Sequence, residues 1–354
     1  MATPSSAAPA TAAGFGGCAA LIAAGDPAWR AFVAGHPDAL PFHEPAWSEA
    51  LSAAYGFRGL VMTLADADGE LLGGIPLMEV RDPVRGRRWT ALPFTDRCPP
   101  LIDDGLVPAL AGALRTAAAD EGIARLEVRA ALHGLRAAEV ATMQELDLSP
   151  GPEALERGFT SATRRNVRKA RREGVTVRRA EAEEDLTRTY YGLHLQTRRR
   201  LGVPVQPRRF FRAVWEHVLA PGHGHLLLAT LDGVDVAGIV LLHAGRTVVY
   251  KYGASDVAAW RARPNNVLFA EAIRWSAEAG YVRFDFGRSD FADEGLRAFK
   301  RGWGAAELPL VYSSLREGEV AGGDGGGRLL GEVIRRSPPG VCRAIGETLY
   351  RYAA

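Results

Sequence analysis

The chain has 354 residues, 47% hydrophobic and 24% charged, with a formal net charge of +2; the length suits two ordinary domains and the balance a globular protein, not a disordered one. No apolar run is long enough to span a bilayer. Cys18, Cys98 and Cys342 are widely spaced and match no zinc pattern, so no metal is expected, and free thiols fit a reducing cytoplasm.

Met1 to Gly25 is rich in Ala, Pro and Ser, lacks the basic start and apolar core of a signal peptide, and reads as a disordered leader. Asp26 to Phe57 reads as helical, anchored by Trp29, Phe32, Trp47, Leu51 and Tyr55. Leu60 to Leu64 and Leu71 to Val80 form a hairpin, and Trp89 to Leu92 a further strand. Pro93 to Asp103 is irregular, and long loops of this kind often carry function. Leu106 to Glu121 is an alanine-rich amphipathic helix, followed by a strand at Ala124 to Arg129.

The boundary between the domains is placed near Leu148-Ser149-Pro150-Gly151-Pro152, which gives domains at residues 26–150 and 151–316. Thr160-Ser161 then offers a helix N-cap, and on the helix that follows Arg165, Arg168, Lys169 and Arg172 share one face. Strands are expected at Val175 to Arg179, Leu226 to Leu231, Val236 to His243 and Thr247 to Tyr252. Pro264 starts a helix that runs to Ala279, Tyr281 to Phe286 is a strand, Gly295 to Arg301 a short helix and Leu308 to Ser313 a last strand. Gly322 to Gly327 reads as a linker, and Arg328 to Arg336 and Val341 to Tyr350 as amphipathic helices that dock on the body or touch a membrane surface.

Two stretches occur twice. Asp68-Gly69 with Gly74-Ile75-Pro76-Leu77 returns 164 residues later as Asp232-Gly233 with Gly238-Ile239-Val240-Leu241. Gly122-Ile123-Ala124-Arg125-Leu126-Glu127 returns 158 residues later as Gly280-Tyr281-Val282-Arg283-Phe284-Asp285. The first reads as a strand, an Asp-Gly turn and a strand; the second as a helix ended by glycine and then a strand. Echoes in the same order at nearly the same offset point to one α/β unit used twice.

The charge is uneven. Arg157 to Arg212 holds 16 Arg and Lys against 5 Asp and Glu, a basic zone suited to a polyanionic partner such as tRNA, a nucleotide diphosphate, coenzyme A or an anionic membrane. Only Lys169, Lys251 and Lys300 are lysines among 43 basic residues, and such positions point to a need for a compact ammonium on a flexible stem.

Five pieces in order, Ser161-x-x-Arg164-Arg165-Asn166-Val167-Arg168-Lys169, Tyr250-Lys251-Tyr252-Gly253-Ala254, Pro264-Asn265-Asn266-Val267, Phe284-Asp285-Phe286-Gly287-Arg288 and Phe299-Lys300-x-x-Trp303-Gly304, resemble the FemAB family and its GNAT-like relatives over about residues 42–315. The resemblance implies tandem GNAT-like α/β domains, each a mixed sheet flanked by helices. It also implies transfer of an amino acid from aminoacyl-tRNA, with no other cofactor, to an amine of a peptide, a muropeptide precursor or a natural-product intermediate, in the cytoplasm or peripheral to the membrane.

The residues agree with that chemistry in outline. Amine attack on an ester needs alignment, a route for the proton and a cation where the carbonyl oxygen gains charge; there is no Ser-His-Asp or Cys-His pattern and no Gly-x-Ser-x-Gly elbow. Lys300, matching the family's late Phe-Lys motif, is expected to stabilise the oxyanion or a donor phosphate. Arg165 and Lys169, supported by Arg164 and Arg168, are expected to grip phosphates. Asp103 is the candidate acceptor of the amine proton, against the alternative of a turn aspartate. Tyr252, Asn265, Asn266, Asp285 and Asp290 are expected along a cleft in the second domain.

Two departures qualify the resemblance. The first domain holds no lysine, whereas Fem enzymes acting on nucleotide-linked muropeptides use one near the diphosphate. The inserted helical arm of some Fem proteins has no counterpart in Asp185 to Leu219, which Pro204 and Pro207 interrupt. An acyl-coenzyme A N-acyltransferase and a non-catalytic RNA- or membrane-binding relative are the alternatives. The coenzyme reading is weakened because Arg261-Ala262-Arg263-Pro264 has no glycine, and Pro264 removes an amide donor.

Overall fold

In the computed structural model, residues 16–82, 86–316 and 328–353 are described. The chain divides into two units. Unit 1 holds Met1–Ser52, Gly56–Val140 and Leu310–Ala321; unit 2 holds Ala53–Tyr55, Ala141–Pro309 and Gly322–Ala354.

Unit 1 begins with β1 (Cys18–Ala23), α1 (Pro27–Gly35) and α2 (Pro45–Tyr55, its last turn assigned to unit 2), followed by β2 (Arg58–Ala65), β3 (Leu71–Asp82), β4 (Gly86–Ala91), α3 (Val107–Asp120) and β5 (Arg125–Val128). The leader expected up to Gly25 contains β1, whose Cys18 to Ala23 pair antiparallel with Ala65 to Leu60; residues 1–15 lie outside the described residues. The single helix expected over 26–57 is two, because His36 is extended ahead of Pro37 and a new helix starts at Pro45.

The chain then enters unit 2 within β6 (Arg136–Asp147), a strand the sequence reading missed, and continues through α4 (Pro152–Gly158), α5 (Ser161–Arg172) and β7 (Thr176–Arg179). A π-helical stretch leads into α6 (Tyr191–Leu201), and α7 (Arg208–Val214) ends in a second one. Next come β8 (Gly224–Leu231), β9 (Val234–Ala244), β10 (Thr247–Ser255), α8 (Pro264–Glu278), β11 (Arg283–Ser289), α9 (Glu294–Arg301) and β12 (Ala306–Ser314), whose end belongs to unit 1. Finally α10 (Arg328–Arg336) and α11 (Pro339–Leu349) dock within unit 2: Ile334, Cys342 and Tyr350 are buried, and Arg199 Nε donates to the Ser337 carbonyl at 2.7 Å. The Gly322–Gly327 linker lies outside the described residues.

The units repeat one order: strand, two helices, three strands, a helix, a strand. In each, the fourth and fifth strands are parallel and joined by the crossover helix, β4 to β5 through α3 and β10 to β11 through α8. Each unit is completed by the strand that follows the other's fifth strand in sequence: β12 lies antiparallel to β5, and β6 antiparallel to β11. The echoes fall on equivalent elements. Asp232 and Gly233 both have positive φ (51° and 78°), making the two-residue turn from β8 to β9. A Cβ on Gly74 would stand 2.5 Å from the Met62 carbonyl oxygen, so that position needs glycine; one on Gly238 would stand 2.9 Å from a Leu228 methyl and a Tyr190 ring carbon, which would have to shift.

Each unit has its own core. Trp89, Leu110, Leu114, Leu126 and Val128 pack together in unit 1, and Val167, Ile239, Leu268, Phe284, Phe286 and Trp303 in unit 2. Burial of such side chains stabilises a fold by roughly 1.5–3 kcal/mol each.

Candidate functional site

The five sequence pieces converge in unit 2 where β10 and β11 part. Their ladder holds for three pairs, Thr247 with Arg283, Val248 with Phe284 and Val249 with Asp285, although β10 continues to Ser255 and β11 to Ser289. Both strands change register there against their other neighbours, β10 between Tyr250 and Tyr252 and β11 between Asp285 and Arg288. A bulge on each side of an opening between parallel strands re-aims backbone and side chains, and the carboxyl ends of such strands are where α/β proteins bind ligands.

Gly287 makes the β11 bulge. Its positive φ (71°) lets its N–H donate to the Asp285 carboxylate at 2.7 Å. Its carbonyl and that of Arg288 accept from Lys300 Nζ at 2.7 and 2.9 Å. Asp285 and Lys300 are each only 2% exposed. Lys300 is therefore no surface lysine: α9 carries its ammonium into the end of β11, and the two carbonyls compensate for burying it.

Aromatic packing fixes these elements. Phe269 of α8 contacts Tyr250, Phe286, Phe299 and Trp303 with ring centroids 4.8, 5.5, 5.3 and 5.9 Å away. Trp303 meets Phe159 edge-on at 5.0 Å, and Thr160 N–H donates to the Gly302 carbonyl, which joins the end of α9 to the start of α5. Asn265 Nδ2 and Trp260 Nε1 both donate to Ser255 Oγ, at 3.3 and 2.9 Å, where β10 ends. Ser255 is absent from the sequence reading, and Gly287 enters it only as part of a motif, without a role. The Asp-x-Gly spacing was a usable signal for Gly287, whereas nothing in sequence singles out Ser255.

Asn266 is buried and its N–H donates to the Arg263 carbonyl. Tyr252 is half-buried beside His194, Phe210 and Phe211. Asp290 is exposed and pairs with Arg288 at 2.8 Å. Along α5, Thr163, Val167 and Ala170 face inward. Arg165 and Arg168 are exposed, Lys169 pairs with Glu173 at 3.3 Å, and Arg164 donates to the carbonyls of Arg157 and Phe159, closing the end of α4. Asp103 lies in unit 1, exposed at the start of a 3₁₀ turn; among the described residues its carboxylate makes no hydrogen bond or ion pair. No group of three or more His, Cys, Asp and Glu among the described residues is arranged to hold a metal, and no helix among them is long and apolar enough to cross a membrane.

Residues 157–301 match the Acetyltransferase (GNAT) domain family. The crystal structure of FemX is similar in fold at 17% identity, with a TM-score of 0.64 over 80% of this chain and 94% of that one. A tandem GNAT protein from the clavulanic acid biosynthesis pathway matches with a TM-score of 0.50 at 14% identity, over 84% of this chain and 98% of its own. The class is therefore that of tandem GNAT-fold proteins, with an acyltransferase-type domain over unit 2. Within that class the chain resembles the FemAB family in sequence as well as fold: 79 residues are 34% identical to the lipid II:glycine glycyltransferase of Staphylococcus epidermidis. That segment is 21% of this chain, and the chain spans about a fifth (19%) of the curated relative's length.

Proposed function

We propose that the protein is an aminoacyltransferase that takes an amino acid from aminoacyl-tRNA and forms an amide on an amine of a peptidoglycan-precursor peptide. The observation that carries this reading is the junction of β10 and β11, where Asp285, the Gly287 bulge and the buried Lys300 ammonium meet. The amine nitrogen attacks the ester carbonyl, the C–N bond forms, the C–O bond to the tRNA ribose breaks, and the proton the amine loses is balanced by the one the ribose oxygen takes up. Lys300 places a positive field where the carbonyl oxygen gains charge and holds the bulge in place. Asp285 orients the Gly287 amide. Asn265 and Asn266 line the start of α8, and Tyr252 and Asp290 stand near the ends of β10 and β11. Asp103 lies in unit 1 and is assigned no step at this unit 2 junction. Arg165 and Arg168 meet the phosphates of the donor, with Lys169 joining them when its surface pair with Glu173 opens.

A tRNA donor is favoured over coenzyme A by the crossover helices. Pyrophosphate binding at a helix N-terminus uses several free amides. In α8, Pro264 has none and that of Asn266 is spent on Arg263; α3 also has a proline, Pro108, in its first turn. The acceptor class rests on the local similarity to the glycyltransferase.

The test offers the purified chain labelled aminoacyl-tRNA pools or acetyl-coenzyme A, with lipid-linked and nucleotide-linked precursor peptides as acceptors. Amide product from aminoacyl-tRNA alone is expected. Lys300→Ala should lower the rate at least about 100-fold. Product from the thioester alone overturns the donor assignment.

A further inference from the structure

A groove of about 510 Å³ lies along α8 against the paired strands β7 and β8. Its wall along α8 runs from Val267 to Glu278, and none of Asp285, Gly287, Lys300, Asn265 and Ser255 lines it. Val177, Leu227 and Trp275 give it an apolar lining, and arginines stand at its rim together with the carboxylates of Glu271 and Glu278. The volume suits a small organic molecule and exceeds the needs of a bare ion.

His225 of β8 lines the groove and is only 4% exposed; among the described residues its Nδ1 has no hydrogen-bond partner. Its ring meets Trp275 edge-on with centroids 4.2 Å apart. Burial lowers its pKa to about 3, and the nearby Arg179 guanidinium pushes the same way, so the ring is a neutral donor and acceptor. A buried polar atom left unpaired in the free protein is costly, and a ligand can remove that cost.

The arginines differ in what they already hold. Arg178 is bound by Asp185 and Asp235, each at 2.6 Å. Arg171 and Arg274 share Glu271. Arg179 is exposed and, among the described residues, has no carboxylate within ion-pair distance. The groove thus offers a flat apolar wall, a buried imidazole and one uncommitted guanidinium.

We infer that this groove binds a small aromatic organic anion, its flat body against Trp275 and His225 and its anionic group on Arg179. A nucleoside monophosphate and an aromatic carboxylate share that chemistry.

Calorimetric titration of the full chain with adenosine 5′-monophosphate, 2-naphthoate and inorganic phosphate tests it. One of the two aromatic probes should bind at one site per chain, with inorganic phosphate at least about 10-fold weaker; which of them binds tighter identifies the source. Arg179→Ala should weaken binding about 10-fold, and His225→Phe, which keeps a ring and removes the nitrogens, about 3-fold or more. No binding of either aromatic probe below about 10 mM, or equal affinity in wild type and Arg179→Ala, overturns the proposal. Because the titration involves no transfer reaction, it fails or succeeds independently of the aminoacyltransferase reading.

Discussion

In unit 2 the parallel strands part at Asp285, beside the Gly287 bulge and Lys300; in unit 1 the equivalent strands part at Val128, one residue past Glu127, the counterpart of Asp285 in the repeat. The same scaffold holds different contents. Arg129 follows Val128 where Gly287 follows Phe286. Its side chain, 16% exposed, donates to Glu127 at 3.0 Å and to the Thr95 carbonyl, and it stacks over Tyr312. Loop 92–101 lies against it: Cys98 N–H donates to the Arg129 carbonyl, Leu101 pairs with Gly74, Tyr312 Oη donates to the Asp96 carbonyl, and His43 Nε2 donates to the Pro99 carbonyl at 2.7 Å. The irregular segment that reads in sequence as a candidate for function is tied at every few residues. The two units share one scaffold, and the residue two positions past the equivalent carboxylates, Arg129 or Gly287, decides whether the opening carries a pinned loop or a glycine bulge.

The sharpest way to break this comparison is to change the two equivalent carboxylates. Asp285→Asn should cost about 100-fold or more in kcat/KM, because the buried carboxylate that holds the Gly287 amide is lost beside the Lys300 ammonium. Glu127→Gln, at a part-exposed position, should stay within about 3-fold of wild type. Transfer rates with aminoacyl-tRNA measure both, and equal losses would mean that the two openings contribute alike.

Stability tests the other half of the contrast. Burial works against the Arg129 charge, but Tyr312, Glu127 and Asp96 more than offset it, so its pKa lies above the usual arginine value. Arg129→Ala should destabilise the fold by about 2 kcal/mol, releasing loop 92–101 and leaving the Thr95 carbonyl unpaired. Hydrogen exchange should show that release in residues 92–101 before anywhere in unit 2. If protection there is unchanged, Arg129 does not hold the loop.

Much of this was readable in the chain and some was not. The Asp-Gly turns and terminal glycines at Gly122 and Gly280 are local signals, so the repeated hairpins and crossover units could be read directly. β6 escaped because its buried residues, Val140 to Gln144, run consecutively; burial on both faces erases the period-two pattern. β1 is short and alanine-rich, and only its pairing with β2 marks it as a strand. For the site, the motif pieces named α5, β10, α8, β11 and α9, but the depth of Lys300 was invisible, since Glu294 to Arg301 reads as a solvated helix. Arg164 looked like a phosphate ligand in sequence and is committed to backbone carbonyls. Such distinctions depend on register and bulges, which are tertiary properties.

Acid stability separates the units most finely. In unit 1, burial holds His43 at a pKa of about 4. In unit 2, burial first and neighbouring cations second hold His194 and His225 near 3, and burial with His223 and Arg179 holds His243 near 4. A histidine lowered in the folded state is protonated first in the unfolded chain, whose value is about 6.5, so its contribution to stability is complete above that pH and is lost as pH falls toward the folded value. Between pH 7 and pH 5 each loses at most about 2 kcal/mol, from roughly 1.4 kcal/mol per pH unit. Carboxylates contribute little in that window because their values lie below it. Three histidines with lowered values, two of them buried and His243 part-buried, against one mean that unit 2 should lose more protection than unit 1. Hydrogen exchange at pH 7 and pH 5, corrected for the intrinsic rate, measures this with peptides from β2–β3 and from β8–β9. Restoring His194 to a non-titrating residue of similar shape, His194→Gln, should narrow the difference between the units if the imidazoles cause it; an unchanged difference would assign the acid sensitivity to other groups.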